Sequence, residues 1–245
     1  MARKPNFTRK KKRKQHGEAF WDAEYKNPTH LKLSTNPSQD LEKFTRWVIR
    51  RKREDVLSPK ASVLDVGCGN GRNLIYLQRH FGNPGVGYDI SKAAIAQALV
   101  ASRNLPIKYK ARSIAGPLEL ENNSQALALD MMTSHFLNQE ERAGLRDEIH
   151  RVLEPGGLLF MKTFLKDGDL HTKRLLTEQP GNETGSYIHP VMGVAEFVYS
   201  EEELVNFLHE KFIIHKIYRS HKHVFRGQAI KRRTITIYAE KDRYQ

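Results

Sequence analysis

Val63-Leu64-Asp65-Val66-Gly67-Cys68-Gly69-Asn70-Gly71 is the stretch on which the fold turns. An apolar run ends in a carboxylate, and glycines then recur at every second position. A segment of helical periodicity follows, with Leu74, Ile75, Leu77 and Phe81 on one face. Strand, tight turn and helix in that order open a parallel α/β sheet, where ligands sit beyond the carboxyl ends of the strands. Glycine lacks a Cβ, so the backbone there turns sharply and comes close to whatever it holds.

The alternation continues outward from this unit. Strand one covers about 62–67, and Gly85-Val86-Gly87-Tyr88-Asp89-Ile90 reads as a second buried strand ending in a carboxylate. Its helix starts at Ser91, a good N-cap, and carries Ala94, Ile95, Ala98 and Leu99. Strands three and four are expected at 107–113 and 126–129. Asn138 with Glu141 resembles a capping box for a helix carrying Leu145, Ile149, Val152 and Leu153. Pro155-Gly156-Gly157 is expected to end that helix before a fifth strand at 158–165. Ser200 with Glu203 caps a further helix, and the runs 212–224 and 234–239 read as a closing antiparallel pair. Repeated strand–helix alternation argues for a parallel sheet with right-handed crossovers.

Three further segments flank this core. Residues 1–17 form a basic tail expected to be disordered when alone, with few apolar residues and Gly17 as a break. Residues 18–58 read as an N-terminal helical segment, with Phe20, Trp21 and Tyr25 and then Leu41, Phe44, Trp47 and Val48 on apolar faces. The core is assigned to 59–245, and it contains a Gly- and Pro-rich stretch at 166–199 expected to be a long functional loop.

Composition excludes several classes. A chain of 245 residues suits one α/β domain with extensions. The formal net charge is +13, and eight of the cations lie in residues 1–17, where no acid stands. A single cysteine, Cys68, permits no intramolecular disulfide. No apolar run is long enough for a membrane helix, and the N-terminus lacks the apolar core of a secretory signal, so a cytoplasmic location is expected. His171, His221 and His223 have no ligand partners at metal-binding spacing, so no metal site is expected.

The glycine spacing narrows the cofactor. Dinucleotide loops read G-x-G-x-x-G, but the residue three after Gly69 is Arg72. The run Asp65-x-Gly67-x-Gly69-x-Gly71 resembles motif I of the class I S-adenosylmethionine-dependent methyltransferases. Arg151-Val152-Leu153-Glu154-Pro155-Gly156-Gly157 resembles that family's signature before strand five. The resemblance covers about residues 18–240. It implies a Rossmann-like, doubly wound α/β fold: a seven-stranded, mostly parallel sheet with one antiparallel strand and helices on both faces.

It also implies roles. Gly67, Gly69 and Gly71 would hold the aminocarboxypropyl arm of S-adenosylmethionine, and Asp65 would meet its amino group, often through water. Asp89 would accept hydrogen bonds from both ribose hydroxyls, and Ile90 would pack on the adenine. Ser113 falls where many members carry an aspartate for the adenine amino group, and a serine makes that contact more weakly. Trp21 and Tyr25 resemble the aromatic segment that folds over the cofactor in many members; packing of an amphipathic helix explains them equally well. Asp130, at the end of strand four, either stands beside the sulfonium and orients a nucleophile or caps the following turn. His135 is a second catalytic candidate, aligned with a histidine that is often structural. Tyr187 and His189, in the long stretch after strand five, are candidates for binding the acceptor, against a plain surface-loop reading.

Absent motifs limit the acceptor. Asp130-Met131-Met132-Thr133 does not match the N/D-P-P-Y/F motif of enzymes that methylate exocyclic adenine amines, and Cys68 is placed for the cofactor rather than for attack on cytosine C5. The expectation is methyl transfer from S-adenosylmethionine, leaving S-adenosylhomocysteine, to an oxygen or nitrogen nucleophile. A small-molecule acceptor stands first, RNA second and a protein side chain third. The basic tail, extended by Arg50 to Arg53 and by Lys231 to Arg233, is a candidate contact with RNA or the ribosome. A non-catalytic RNA- or ribosome-binding module that retains the fold is the alternative from a different class. Oligomeric state is not legible.

Overall fold

The computed structural model describes residues 17–30, 33–221, 223–225 and 228–244. Except for Gly17, the basic tail lies outside the described residues. In chain order the elements are α1 (Glu18–Lys26), α2 (Gln39–Arg50), β1 (Val63–Val66), α3 (Arg72–Phe81), β2 (Gly85–Asp89), α4 (Lys92–Ala101), β3 (Ile107–Ala111) and β4 (Gln125–Met131). A 3-10 turn, Ser134–Phe136, precedes α5 (Gln139–Val152), β5 (Leu153–Phe164), α6 (Leu170–Glu178), β6 (Ser186–Ile188) and β7 (Ala195–Phe197). Then come α7 (Glu201–His209), β8 (Phe212–Arg219), β9 (Val224–Phe225), β10 (Gln228–Ala229) and β11 (Thr234–Lys241).

Seven strands form one sheet in the order β3-β2-β1-β4-β5-β11-β8. The first five run parallel, and β11 is antiparallel to both β5 and β8. The order reverses at β1, which opens a crevice between the β1 and β4 strand ends. Side-chain alternation divides the core into two layers. Val63, Leu127, Leu129, Phe160 and Tyr238 face α2 and α3, packing with Leu41, Phe44, Trp47, Leu74 and Leu77. Leu64, Ala128, Leu159, Met161, Ile235 and Ile237 face α5 and α7, packing with Leu145, Ile149, Leu204 and Leu208. Burial on both faces explains why these strands read as continuous apolar runs.

The expected caps form. Ser91 Oγ accepts from the Ala94 N–H, and both Asn138/Glu141 and Ser200/Glu203 are complete capping boxes. Two local expectations are corrected. The Pro155-Gly156-Gly157 run does not separate helix from strand: α5 ends at Val152 and β5 begins at Leu153. β4 accommodates the run through a register shift, with Gln125 opposite Leu153 and Leu127 opposite Leu158. The Gly156 carbonyl accepts from Arg53 Nη2 at 2.6 Å, so this bulged stretch is tied to the end of α2.

The second correction concerns 166–199, which is not an unstructured loop. It holds α6, capped by Asp169 on the Thr172 N–H, and an antiparallel β6–β7 ribbon. The glycines and prolines that suggested a loop lie between these elements. No helix among the described residues is long and apolar enough to cross a membrane.

Candidate active site

A cavity of about 1090 Å³ opens at the carboxyl ends of β1, β2, β4 and β5. One end is built by the glycine turn. Gly67 and Gly69 have φ of +74° and +55°, a left-handed conformation that side-chain-bearing residues rarely adopt. A Cβ at Gly67 would lie 2.1 Å from Thr133 Oγ1, and one at Gly69 would lie 2.2 Å from the Tyr25 hydroxyl. At the end of β4, Met132 takes φ +61° without being glycine, and the turn it makes brings Thr133 over Gly67.

Asp89 closes this end of the cavity. Its Oδ2 accepts from the Gly69 N–H at 2.8 Å and its Oδ1 from the Ser91 N–H at 2.8 Å, so the end of β2 is locked to the glycine turn. Burial raises the Asp89 pKa, and these two backbone donors pull it back toward the charged form. Asp65 is fully buried two residues before Gly67, and no described residue hydrogen-bonds its Oδ2. Burial and the nearby Asp89 push its pKa well up, while Arg72 opposes.

Helix α1 lies across this end. Asp22 Oδ1 accepts from Ser91 Oγ at 2.6 Å and from the Ala93 N–H at 3.0 Å, which places a carboxylate at the N-terminus of α4. Gln97 Nε2 donates to the Tyr25 carbonyl at 2.5 Å. Fixed in this way, α1 presents Trp21 and Tyr25 to the cavity. The Trp21 ring meets Phe136 edge-on, with centroids 5.4 Å apart.

The opposite end is assembled from Ser38 just before α2, from α5 and from the insertion after β5. Lys162, on β5, reaches Asp40 of α2 at 2.6 Å, and Asn73 Oδ1 accepts from the Ser38 N–H at 3.2 Å. Phe197 and Glu183 come from the insertion. Arg142 of α5 holds both: it pairs with Glu183 at 2.6 Å and its guanidinium lies 3.7 Å from the Phe197 ring centroid.

Of the residues singled out in the sequence, the cavity wall brings together Trp21, Tyr25, Gly67, Gly69, Asp89, Ile90 and Ser113. Ser113 Oγ accepts from the Ala115 N–H at 3.1 Å. Gly71 faces the Tyr109 hydroxyl instead. Asp65 lies buried behind the glycine turn rather than at the wall, and Asp130, His135, Tyr187 and His189 are not at the wall either. Asp130 points to the α5–α7 side of the sheet, because strand alternation sends 128 and 130 there and 129 and 131 to the other side. Its Oδ1 caps the 3-10 turn by accepting from the Ser134 N–H at 3.1 Å, and burial raises its pKa to about 6. His135 is buried against Phe136 and Phe164, and burial lowers its pKa to about 4.

Tyr187 is fully buried and its hydroxyl donates to Glu196. His189 Nδ1 accepts from the Val191 and Met192 N–H groups, shaping its own turn. Cys68 is buried and its thiol pKa is pushed up, which keeps it from acting as a nucleophile.

Sequence reasoning passed over Thr133, Asn73, Lys162, Phe136 and Phe197. Lys162 reaches the wall through the strand register, opposite Met131 of β4. The aromatic wall depends on how the insertion folds, and no local pattern announces that.

Comparison with known proteins agrees with this geometry. Residues 63–157 match the family described as "Methyltransferase domain". The chain is 29% identical over 132 residues to a carboxy-S-adenosyl-L-methionine synthase of Actinobacillus succinogenes, covering 51% of this chain and 54% of that protein. It is 25% identical over 109 residues to a tRNA U34 carboxymethyltransferase of Idiomarina loihiensis, covering 44% and 34%. The chain thus spans about half the length, or less, of these relatives. Among solved structures, an S-adenosylmethionine-dependent methyltransferase of Methanosarcina mazei superimposes with a TM-score of 0.65 at 25% identity, over 78% of this chain and 97% of that one. The glycine turn, the carboxylate ending β2, the 3-2-1-4-5 strand order with its antiparallel insertion and these likenesses converge: the chain carries a methyltransferase domain over residues 63–157, in the fold of the class I S-adenosylmethionine-dependent methyltransferases.

Proposed function

We propose that this protein transfers the methyl group of S-adenosylmethionine to an oxygen or nitrogen nucleophile of a small-molecule acceptor. One observation carries the reading: a single cavity joins the glycine turn and Asp89 at one end to a wall of Phe136, Phe197, Asn138 and Glu183 at the other. Its volume suits a nucleoside cofactor with a small second molecule.

The residues fit the cofactor. The backbone at Gly67 and Gly69 leaves space that a Cβ would fill, and Asp89 offers a buried carboxylate for paired hydroxyls. Asp65 Oδ2, buried without a hydrogen-bond partner, suits a bound ammonium or a water in front of one. Ile90 supplies apolar contact for a base, with Ser113 at its edge. Trp21 and Tyr25 close the cofactor end, so α1 acts as its cover, while α2 packs against the sheet.

When bound, S-adenosylmethionine supplies an electrophilic methyl on a good leaving group. The chain's contribution is to orient the acceptor and exclude water, and orientation alone is worth roughly 7–11 kcal/mol in well-aligned reactions. The insertion contributes Asn182, Glu183, Ser186 and Phe197 to the acceptor end, so its β6–β7 ribbon selects the acceptor. Asp130 acts as a cap and not as a base in this reading.

Calorimetric titration with S-adenosylmethionine and S-adenosylhomocysteine, with NADH as control, tests the cofactor. Micromolar binding of the first two is the expected result, and folded protein that binds neither overturns the reading. A screen with radiolabelled methyl donor against small amines, phenols and carboxylates, with bulk tRNA in parallel, then tests the acceptor. The tRNA arm is included because one relative is named for a tRNA reaction and the chain is strongly basic.

A further inference from the structure

The structure sorts the cations that the sequence leaves undivided. Arg53 is engaged by Asp55, Glu240 and the Gly156 carbonyl. Arg232 pairs with Glu196, and Arg233 Nη1 donates to the Asp167 carbonyl. These arginines hold the fold together. Arg46, Arg50, Arg51, Lys52 and Lys216 are different: all are exposed, and among the described residues none takes part in an ion pair of 4 Å or less.

Arg46, Arg50, Arg51 and Lys216 lie on one flank, with Lys52 next in the chain. Arg46 and Arg50 are one turn apart on α2, a rise of about 6 Å, and Arg51 and Lys52 continue past its end. The Arg51 guanidinium lies 5.3 Å from the centroid of Trp47. Lys216 is on the outer strand β8, directly opposite Tyr238 of β11, and Tyr238 packs against Trp47 with centroids 5.2 Å apart. Burial raises the Tyr238 pKa, and Arg46 and Arg50 both stand near enough to pull it down, which puts them on the same side.

An exposed aromatic completes the surface. Tyr218, two residues after Lys216 and so on the same face, is 47% exposed, with its ring 5.3 Å from that of Tyr238. Lys52, just past the C-cap of α2, takes φ +55° and turns the chain away from the helix.

We propose that the flank formed by α2 and β8 docks a single-stranded nucleic acid, its cations along the phosphates and Tyr218 under a base. A row of cations repeating at short intervals suits a repeating anion better than one isolated charge, and an aromatic among them gives a base something to stack on. The site lies outside the cavity and is independent of what the cavity methylates. Asp40, at the start of the same helix, already touches the cavity wall through Lys162, so a strand held along α2 runs toward the cavity mouth.

Fluorescence anisotropy of the full chain with a labelled 20-nucleotide oligo(U), over a range of salt, tests this. Replacing Arg46, Arg50 and Lys216 together by glutamine should weaken binding at least tenfold at 0.1 M salt. It should also flatten the log–log salt slope by about 2, at roughly 0.7 per phosphate contact. A matched triple that removes the same charge elsewhere, Arg79→Gln with Lys108→Gln and Lys173→Gln, should change affinity less than twofold. S-adenosylmethionine affinity serves as the folding control for both, and Lys216→Gln alone replaces the first triple if it fails that control; a threefold loss and a slope change of about 0.7 are then expected. Equal losses in the two triples, unchanged binding in the first, absence of oligo(U) binding by the unmodified chain, or binding only to phosphatidylserine vesicles each overturns the proposal.

Discussion

At the residue scale, the site is a set of buried carboxylates with different tasks. Asp89 is the one that faces the cavity while tied to two backbone donors. Replacing it with alanine removes a charged acceptor, and a hydrogen bond to a charged group is worth about 1.5–3 kcal/mol. Calorimetry on Asp89→Ala should show cofactor affinity weakened roughly tenfold to a hundredfold; wild-type affinity would remove Asp89 from the site. Asp130 and His135 make an opposed pair. The Asp130 pKa is raised in the folded state to about 6, so its contribution favours folding below the ordinary carboxylate range and is lost as pH rises toward 6. That of His135 is lowered to about 4, so its contribution is intact above about pH 6.5 and is lost as pH falls toward 4. Each is worth about 3 kcal/mol at full extent, with opposite sign, and the two offset each other. Asp130→Asn keeps an oxygen for the Ser134 N–H and removes only one side of the balance. Urea unfolding of that variant should lose up to about 3 kcal/mol more than wild type between pH 6.5 and 4. Parallel profiles would show that Asp130 does not titrate in this range.

At the element scale, α1 and the β6–β7 ribbon are each held by a few polar contacts. Asp22 fastens α1 to the N-terminus of α4. Asp22→Ala should speed amide exchange in α1 and weaken cofactor binding about three- to tenfold, while global stability shifts by no more than about 1 kcal/mol, because Ser91 still caps α4. Slowed or unchanged exchange in α1 would show that its apolar face alone secures it. The ribbon rests on Arg232, which spans Glu196 and Thr172 and lies 3.5 Å from the centroid of Phe164. Arg232→Met leaves Glu196 buried without its cation, a change that typically costs about 3–5 kcal/mol. Limited proteolysis should then cut between α6 and β7 before the sheet unfolds, and wild-type resistance there would mean that Tyr187 alone satisfies Glu196.

At the scale of the whole molecule, the parallel sheet was legible because β1, β2, β4 and β5 are buried on both faces and end in carboxylates, glycines or polar turns. The glycine turn and Asp89 were legible as parts of one cavity wall, because glycine spacing and a strand-end carboxylate are local signals. The acceptor end was not. Lys162 comes from β5 and Glu183 and Phe197 from two places in the insertion, and only the fold of the insertion and the strand register bring them to one wall. Asp130 takes the second of its two readings, the cap of the following turn, because its strand-end position lies near the site while alternation sends its side chain to the other side of the sheet. The strand order has a further consequence. β11 lies between β5 and β8, so residues 234–241 supply hydrogen bonds to both neighbours. Until those residues leave the ribosome, β5 has an open edge and β8 has no partner in the sheet. The domain therefore completes its core only after nearly the whole described chain has been synthesised, and an arrest shortly before 234 leaves two sticky strand edges for chaperones to cover.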